Sequence, residues 1–497
     1  MRLGQLADRA GIALVDGHDI NVTGFAIDHR KVAPGTVFGA FRGSSFNAEA
    51  VIPEAIKAGA VAVVARSEVQ VKGAVHIAAD EPRRAFARLA AGFFTPVPEH
   101  VVAVTGTNGK TSTVEMTRQI WRMCGERAAS IGTLGVTTPD GSVSTGLTTP
   151  DIVTFLSNMS GLAREGVTHV AYEASSHGLS QYRNEGLAVE AAAFTNFSRD
   201  HLDYHKDMED YFAAKMRLFD EVVEPGAAAV IWLGGEPCAW SQRAVEHAQK
   251  RALRVHTVGE QGETIRLLAR TPTQLGQELE IRYAGTGRKI TLPLIGAYQV
   301  ANALVAAGLA IATGCNPLAV FDAVGRLQPV RGRLERAVIS AQGAPVYVDY
   351  AHTPDAIEAA IAALRPHVDG RLICVLGAGG DRDQGKRAPM GEIASRMADR
   401  VIVTDDNPRG EDAAAIRREV LKGAGRNASE IGDRRTAIMK AISEAGRDDI
   451  VLIAGKGHEK GQIIGAGENM RVLPFDDVEV ARECAALAGL QANGDAL

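Results

Sequence analysis

Short apolar runs alternate with segments of helical periodicity along most of the chain. The run at residues 101–105 (VVAVT) ends in a polar, glycine-containing stretch, and helical spacing resumes at residue 111. Further buried-type strands are predicted at residues 168–175 and 191–198. Strands of this kind that alternate with helices are typical of a mostly parallel sheet covered on both faces. The pattern therefore predicts an α/β protein.

The same pattern predicts three domains. Residues 1–97 form a small α/β unit, and the prolines of TPVPEH mark its end. Residues 98–330 form a central domain whose stretch at 260–292 is more β-like. Residues 331–497 carry four apolar strands, each ending in a polar loop that contains glycine. Because ligands of open α/β sheets bind at the carboxyl ends of the strands, these loops are the candidate binding segments.

Composition excludes several classes of function. A net charge of −5 leaves no basic excess for neutralising phosphates, which argues against a general nucleic-acid binder. The five cysteines are scattered and form no C-x-x-C pair, as in proteins of a reducing compartment. No stretch reaches the roughly 18 apolar residues of a membrane span. We expect a cytoplasmic protein that binds neither nucleic acid nor a membrane.

The loop GTNGKT, residues 106–111, is the clearest chemical signal. Its small residues allow backbone N–H groups to cradle phosphate oxygens at the positive end of the following helix. Lys110 would reach the terminal phosphates, and the Thr111 hydroxyl would coordinate Mg²⁺. The usual signature has a further glycine where this chain has Val104. The alternative is a glycine-rich turn between strand and helix that binds nothing.

The central domain offers three more candidates. Glu173 ends a buried strand, where a carboxylate is costly unless it meets a cation, and its oxygens suit Mg²⁺. His201, in SRDHLDYH, is either functional or a hydrogen-bonded structural histidine. Spacing alone favours a solvated helix lysine for Lys215, in YFAAKMRLF.

The third domain contains DDNPRGED and AGKGHEKGQ. Asp406, Asn407 and Arg409 could recognise a zwitterion, with the carboxylate held by the planar fork of Arg409 and the ammonium held by an acid. The alternative is a helix N-cap after a proline turn. Arg382, in a glycine loop, is alternatively a solvated arginine.

Together these segments resemble the Mur ligase family, the ATP-dependent amide-forming enzymes of peptidoglycan precursor assembly. The motifs occur in the family's order and cover nearly the whole chain: TGTNGKTS, YEASSHGL, NFSRDHLDYH, YFAAKMRLF, VRGRLE, VDYAHTPD, LGAGGDRDQGKR, DDNPRG and AGKGHE. The family shares the shortened loop. The resemblance implies an N-terminal α/β UDP-sugar-binding domain, a central P-loop-type parallel-sheet ATPase domain and a C-terminal Rossmann-like α/β domain.

The D-N-P-R motif is similar to that of the branch that adds the third amino acid. Its Arg goes with meso-2,6-diaminopimelate, whose second amino-acid head carries a carboxylate for Arg409. The implied substrates are UDP-N-acetylmuramoyl-L-alanyl-D-glutamate (UDP-MurNAc-L-Ala-D-Glu), meso-diaminopimelate and ATP, with Mg²⁺ as cofactor and a monomer expected. The D-glutamate carboxylate would become an acyl phosphate that an amine then attacks. Two alternatives stay open: the same reaction with L-lysine or another diamine, and a nucleotide-dependent switch ATPase that forms no covalent product.

The resemblance also assigns roles to individual positions. The ATP site would comprise Gly106, Thr107, Asn108, Gly109, Lys110, Thr111, Ser112, Asn302, Arg333 and Asp349. The UDP-MurNAc-dipeptide site would comprise Ile27, His29, Ser44, Ser45, Phe46, Thr148, Thr149, Ser175, Gln181 and Arg183. The diaminopimelate site would comprise Arg382, Asp406, Asn407, Pro408, Arg409, Gly455 and Glu459. The metal ligands would be Thr111, Glu173, His201 and Lys215, the last as a carbamate formed with CO₂; Lys110, Lys215, His201 and Glu173 would be catalytic.

Three departures from the family pattern concern the UDP-sugar side. His29 replaces a serine, the segment SSFNAEA replaces a glycine-rich one, and Leu147 stands where asparagine is common.

Overall fold

The computed structural model describes residues 1–43, 46–143, 148–202, 204–234, 239–273 and 276–494. The chain forms two compact units. The first unit contains Met1–Leu268, Ile281–Arg288 and Ala301–Val324. The second unit contains Ala269–Glu280, Lys289–Val300 and Gly325–Leu497.

The described residues form these helices: α1 Leu3–Ala10, α2 Ile52–Lys57, α3 Pro82–Phe93, α4 Lys110–Met123, α5 Ile152–Arg164, α6 Ser176–Ser180, α7 Met208–Arg217, α8 Ala239–Lys250, α9 Ala297–Ala312, α10 Pro317–Val324, α11 Pro354–Leu364, α12 Arg387–Met397, α13 Ala413–Gly423, α14 Arg434–Glu444 and α15 Asp477–Gly494.

The strands are β1 Gly24–Ala26, β2 Thr36–Gly39, β3 Ala60–Ala65, β4 Val75–Ala78, β5 His100–Thr105, β6 Ala128–Gly132, β7 Gly135–Thr137, β8 Ser142–Val143, β9 His169–Glu173, β10 Val189–Phe194, β11 Val223–Trp232, β12 Arg254–Gly259, β13 Ile265–Thr273, β14 Gly276–Tyr283, β15 Thr286–Leu292, β16 Glu335–Ile339, β17 Pro345–Asp349, β18 Leu372–Leu376, β19 Arg400–Val403, β20 Ala428–Glu430, β21 Ile450–Ala454, β22 Gly461–Ile464 and β23 Arg471–Pro474.

The first unit contains two parallel sheets. Strands β1-β2-β3-β4 pair in parallel in that order. The larger sheet has the parallel order β12-β11-β10-β5-β9-β6, and β7 and β8 add antiparallel strands at one edge. Strand β5 lies between β10 and β9, so the loop after Thr105 leaves the sheet between Glu173, which ends β9, and Thr195, which follows β10. Strands β13, β14 and β15 have residues in both units.

The second unit is built on a sheet with the order β16-β17-β21-β18-β19-β20. All neighbours except β16 and β17 are parallel. The strands β17, β21 and β18 are apolar and buried along most of their length, as strands covered on both faces must be. Consequently the segments after Asp349, Leu376, Val403 and Ala454 all leave the same edge of the sheet.

The prediction of an α/β protein built from parallel sheets is confirmed. The predicted boundaries at residues 97/98 and 330/331 stay predictions. Within the described part of the chain, every helix is too short or too polar to cross a membrane.

A fully buried ion pair joins α14 to α15 in the second unit. Arg434 Nε and Nη2 donate to the two carboxylate oxygens of Asp477 at 2.8 and 2.7 Å, and neither side chain is exposed. Arg434 Nη2 also donates to the Ala454 carbonyl at the end of β21, at 3.0 Å. Burial of two charges is tolerated here because the pairing is bidentate and further hydrogen-bonded. The ion pair therefore supports the strand end that carries the loop beginning at Gly455.

We expect Asp477→Ala to lower the free energy of unfolding of the second unit by about 3–5 kcal/mol, because it leaves the Arg434 guanidinium buried and unpaired. Glu483→Ala is the matched control: it removes the Arg435–Glu483 ion pair between the same two helices, whose side chains are 45% and 56% exposed. That change should cost less than about 1 kcal/mol. Urea unfolding measures both, and equal losses would contradict the assigned difference.

Candidate active site

The glycine loop after β5 is stabilised by the segment after β10. Thr107 N–H donates to the Asn196 carbonyl at 2.9 Å, and Asn108 N–H donates to Asn196 Oδ1 at 2.9 Å. Asn196 Nδ2 and Thr195 Oγ1 both donate to the Asn108 carbonyl. Lys110 folds back over the loop, with Nζ donating to the carbonyls of Gly106 and Thr107 at 3.0 and 2.7 Å. This is a strand, a tight loop and the first turn of α4, where Thr111 and Ser112 are buried.

Two glycines make this loop possible. Gly106 has φ +140° and Gly109 has φ +83°, conformations that L side chains rarely adopt. A Cβ atom at position 106 would lie 2.0 Å from Thr195 Oγ1, and one at position 109 would lie 2.2 Å from Asn302 Oδ1. Asn302, a predicted ATP contact, thus lies against the loop, and its Oδ1 also accepts from Thr113 Oγ1 at 3.4 Å.

We expect Gly106→Ala to weaken ATP binding by at least about 100-fold, because the added methyl group displaces Thr195 and opens the loop. Gly125→Ala is the matched control, since Gly125 also has positive φ, +98°, but a Cβ there meets nothing within 4 Å. Isothermal titration with a non-hydrolysable ATP analogue measures both variants. Unchanged affinity in Gly106→Ala would contradict the assigned role of the loop.

Lys215 lies beneath the same loop. Its Nζ is fully buried and donates to the Gly106 carbonyl at 2.7 Å, and it lies 4.4 Å from the centre of the Tyr211 ring. Burial is the larger cause that holds the pKa of Lys215 well below its usual value, and the positive charge of Lys110 is the second cause. The expectation of a solvated lysine is therefore wrong. The side chain belongs to the apolar stripe of α7, together with Tyr211 and Phe212.

Glu173 lies at the end of β9 in a network of hydroxyl groups. Its Oε1 accepts from Thr133 N–H at 2.7 Å, and its Oε2 accepts from Thr133 Oγ1 at 3.3 Å. Thr133 Oγ1 is 3.1 Å from Thr148 Oγ1, and Thr149 Oγ1 donates to the Glu173 carbonyl at 3.0 Å. Thr149 Oγ1 is also 3.0 Å from Ser175 Oγ. The structure thus brings Glu173 together with three predicted substrate contacts.

Arg183 and Gln181 extend this network. Arg183 Nη1 donates to the Thr149 carbonyl at 2.9 Å, and its Nη2 donates to Gln181 Oε1 at 2.8 Å. Gln181 Nε2 donates to Tyr204 Oη at 3.2 Å.

A cluster of aromatic rings links this network to the residues beneath the glycine loop. The His177 ring centre lies 4.0 Å from that of Tyr204 and 5.0 Å from that of His201. His201 has φ +52° and its ring centre lies 5.8 Å from that of Tyr211, which also contacts Lys215. His201 and Lys215 therefore share Tyr211 as a neighbour.

The predicted uridine contacts lie in the four-stranded sheet region. Ile27 packs against the core, His29 opens a short 3₁₀ turn, and Phe46 is exposed. None of the hydrogen bonds among the described residues connects these three to the Glu173 network. Ser44, Ser45 and Leu147 lie outside the described residues.

A cavity of about 210 Å³ adjoins this region, lined by Arg42, Arg66, Arg83 and Tyr182 among others. The Arg83 guanidinium lies 4.8 Å from the centre of the Phe41 ring. Its pKa is lowered by burial and by the charge of Arg183. Motif reasoning missed these arginines. Arg42 and Arg66 both pair with Glu49, and Glu81 also lines the cavity, so its lining mixes basic and acidic side chains.

In the second unit, the D-N-P-R segment contacts the loop after β21. Asn407 Nδ2 donates to Glu459 Oε2 at 2.8 Å, and Asn407 Oδ1 accepts from Lys456 Nζ at 2.9 Å. A Cβ atom on Gly455, which has φ +122°, would lie 2.5 Å from Asp406 Oδ2. The predicted residues Asp406, Asn407, Gly455 and Glu459 are therefore brought together, and Lys456, which motif reasoning missed, lies among them.

Arg409 is held by its backbone as well as its side chain. Its N–H donates to the Ile463 carbonyl at 3.0 Å, and its carbonyl accepts from Gly465 N–H at 2.7 Å. The residue has φ +49°, and Nη1 donates to the Gly380 carbonyl at 2.9 Å. These bonds tie the residue after Pro408 to the hairpin β22–β23 and to the glycine loop after β18.

Arg382 follows in that same loop and is exposed. Its Nη1 donates only weakly to the Asp381 carbonyl, at 3.4 Å. The helix-cap alternative is confirmed for Asp412, which accepts from Ala415 N–H as the N-cap of α13.

Arg333 and Asp349 are the predicted ATP contacts of the second unit. Asp349 accepts from the N–H groups of Leu334 and Ala351 at 2.7 and 2.9 Å. Burial raises its pKa to about 6 despite the charge of Arg333. The Arg333 guanidinium lies 5.0 Å from the centre of the Tyr350 ring. Their contact with ATP stays a prediction.

The residues fit Mg²⁺ by their chemistry. The described residues contain no group of three or more His, Cys, Asp or Glu side chains that could hold a metal ion by themselves. The Thr111 hydroxyl and the Glu173 carboxylate supply hard oxygen donors, which Mg²⁺ uses alongside substrate phosphates rather than in a protein-only cage.

Models of known protein families match most of the chain. The Mur ligase middle domain matches residues 104–310, and the Mur ligase glutamate ligase domain matches residues 332–457. A relative from Zymomonas mobilis is 59% identical over 482 residues, which cover 97% of this chain and 98% of the relative. The chain belongs to the Mur ligase family.

That relative is named UDP-N-acetylmuramoyl-L-alanyl-D-glutamate–2,6-diaminopimelate ligase. A protein of the same name from Bradyrhizobium diazoefficiens is 50% identical over 473 residues, which cover 94% of this Mur ligase and 95% of that protein. A solved structure with this name matches with a TM-score of 0.73 at 32% identity, covering 98% of this chain and 99% of the other. A MurF ligase from Thermotoga maritima in complex with ADP matches with a TM-score of 0.61 at 18% identity, and the match covers 95% of this chain and 99% of the other. This match shows a shared fold.

Proposed function

We propose that the protein joins meso-2,6-diaminopimelate to the D-glutamate of UDP-MurNAc-L-Ala-D-Glu at the expense of ATP, a step of peptidoglycan precursor synthesis. The supporting observation is the joint presence of two sites. The glycine loop with buried Lys215 lies in the first unit, and the Asp406–Arg409 segment with Glu459 lies in the second. The names of relatives that are 59% and 50% identical support the same substrates.

Lys110 serves the phosphoryl transfer in this proposal. The D-glutamate side-chain carboxylate attacks the γ-phosphorus of ATP, and ADP leaves, which gives an acyl phosphate. The Lys110 ammonium, now held by the Gly106 and Thr107 carbonyls, would turn to the phosphate oxygens and stabilise the charge that spreads over them. Activation is needed because an unactivated carboxylate has no suitable leaving group.

Lys215 acts as an anionic ligand after reaction with CO₂. A lysine amine attacks CO₂ only when it is unprotonated, and burial together with the charge of Lys110 favours that form here. The neutral amine nitrogen bonds to the carbon of CO₂ and releases one proton, so that a buried neutral amine becomes a carbamate anion. Mg²⁺ would be held by Thr111, Glu173, His201 and this carbamate. When bound, the ion would reduce the electrostatic repulsion between the substrate carboxylate and the triphosphate.

The second unit would bind diaminopimelate, whose amine completes the reaction. Arg409 would bind the carboxylate of the distal amino-acid head of diaminopimelate, and Asp406 and Glu459 would bind the ammonium group of that same head. The amine of the other head, in its neutral form, then attacks the acyl phosphate carbon, a proton is lost and phosphate leaves. Arg83, which lines the cavity in the first unit, would pair with the diphosphate of the UDP substrate. We further propose that the enzyme is a monomer that acts in the cytoplasm.

ADP formation with the substrates supplied singly and together tests this function. We expect turnover only when ATP, the UDP-dipeptide and meso-diaminopimelate are all present, because the chain carries separate determinants for each. L-Lysine in place of diaminopimelate should support little turnover, since it lacks the second carboxylate. ATP hydrolysis at the full rate without the other two substrates would instead indicate a switch ATPase.

A further inference from the structure

Lys456 is a buried cation that the proposed reaction does not use. It follows β21 in the turn between Gly455 and Gly457, which have φ +122° and +55°, and its side chain has no exposed surface. Its Nζ donates to Asn407 Oδ1 at 2.9 Å and to Glu459 Oε2 at 3.2 Å. A buried ion pair is weak evidence of a role in stability alone, because replacing the whole pair with apolar groups often costs nothing.

The ammonium of Lys456 fixes which way the Asn407 amide faces. An ammonium donates and cannot accept, so the amide oxygen must face it. The backbone N–H of Ile463 donates to the same oxygen at 2.9 Å. With Oδ1 occupied by two donors, Nδ2 is directed to Glu459 Oε2 at 2.8 Å. Two independent donors therefore select one of the two possible amide orientations.

The same contacts orient the Glu459 carboxylate. Both Asn407 Nδ2 and Lys456 Nζ donate to Oε2, which sets the plane of the carboxylate. The side chain of Glu459 is 33% exposed, so its other oxygen, Oε1, can accept from a substrate ammonium. Loss of Lys456 would leave the Asn407 oxygen with the Ile463 N–H as its remaining donor and Glu459 Oε2 with Asn407 Nδ2 as its remaining donor, so that both side chains are held less firmly.

We propose that Lys456 is a positioning residue for the amino-acid substrate, which it serves by locking the Asn407–Glu459 pair in the orientation that receives an ammonium group. This inference rests on the proposed function, because it assigns the pair to the diaminopimelate site. Lys456 itself contacts no reacting atom, so its loss should affect the binding of one substrate and leave the others unchanged.

Steady-state kinetics of Lys456→Met tests this role. We expect the KM for diaminopimelate to rise about 30-fold, the scale of losing a hydrogen bond to a charged group. The KM values for ATP and the UDP-dipeptide should change less than about threefold. Lys460→Met, which removes an exposed lysine four residues further along, is the matched control and should change none of them. Equal KM changes for all three substrates, or no change for diaminopimelate, would overturn the proposal.

Coupling to Asn407 separates positioning from general support of the loop. In the Asn407→Ala background, Lys456→Met should raise the KM for diaminopimelate by clearly less than about 30-fold, because one of the two groups that it orients is gone and only its bond to Glu459 remains. A full additional 30-fold effect would contradict the proposal. Lys456→Gln, which can still donate to Asn407 Oδ1, should raise this KM about fivefold and carries the test if the methionine variant does not fold.

Measurements on the wild-type enzyme distinguish a failure of the proposed function from a failure of the role of Lys456. If the wild type makes no product from diaminopimelate, the proposed function fails. If it does, and Lys456→Met and Lys456→Gln both keep the wild-type KM, the function stands and the role of Lys456 fails.

Discussion

Lys215→Ala is expected to lower kcat about a thousandfold, with little change in the affinity for ATP. In the proposed reaction, the variant removes the amine that would bind CO₂, and with it one anionic ligand of the metal that would neutralise the transferring phosphoryl group. A loss of about 4 kcal/mol of transition-state stabilisation corresponds to this factor. The position is unusual because Nζ is buried against the Gly106 carbonyl and the Tyr211 ring, with Lys110 as a nearby like charge.

Rescue by a small carboxylate separates chemistry from packing. The alanine variant leaves a space where the lysine stem was, and acetate or formate can supply the missing carboxylate there. We expect added acetate to recover at least about a tenth of the lost activity. Lys206→Ala, at an exposed lysine of the same segment, is the control and should keep full activity.

A labelled carbamate would give direct evidence. Wild-type enzyme equilibrated with ¹³CO₂ should show a carbamate carbon resonance that is absent in Lys215→Ala. A resonance that persists in the variant, or full activity of the variant without acetate, would contradict the carbamate assignment.

Arg409→Ala is expected to lower kcat/KM for diaminopimelate by roughly a thousandfold, the scale of leaving one partner of a hydrogen-bonded charge pair alone. Arg409→Lys should recover only part of it, because an ammonium cannot grip a carboxylate with two parallel bonds. ATP binding should be unaffected.

Two controls sharpen this prediction. L-Lysine lacks the second carboxylate, so the small kcat/KM that the wild type shows with it should change less than about threefold in Arg409→Ala. Arg418→Ala, at an exposed arginine of α13, should behave as the wild type with both amino acids. Equal losses with diaminopimelate and lysine would show that Arg409 supports the loop rather than selecting the substrate.

The central strands were predictable because burial on both faces leaves a strong sequence signal. The runs at 345–351, 371–380, 400–408 and 449–459 correspond to β17, β18, β19 and β21. The hairpin β22–β23 was not predicted. Its strands are four residues long, with two aliphatic residues each, and these residues are half-buried or exposed, which is too short a pattern to predict a strand. The edge strand β20, of three residues, is too short to give a pattern.

In the candidate site, too, some residues were predictable from the sequence and others were not. Motifs predicted the residues in strand-end loops. The burial of Lys215 was not predicted, because a lysine on a helix usually faces solvent and the face of α7 that it shares was not taken into account. It stands four residues after Tyr211 and three after Phe212, so it shares their face of α7. Lys456 and Arg434 were missed for another reason. Lys456 contacts Asn407, 49 residues away in sequence, and Arg434 contacts Asp477, 43 residues away, so the fold is needed to bring each pair together.

In the proposed reaction, the γ-phosphate of ATP passes to the D-glutamate carboxylate, and the released phosphate carries one oxygen of that carboxylate. We would label the D-glutamate side-chain carboxylate of the UDP-dipeptide with ¹⁸O, run the reaction with ATP and diaminopimelate, and measure the label in the released phosphate. An acyl phosphate predicts one labelled oxygen in each phosphate released during amide formation. Phosphate without label, with its new oxygen drawn from water, would contradict the account.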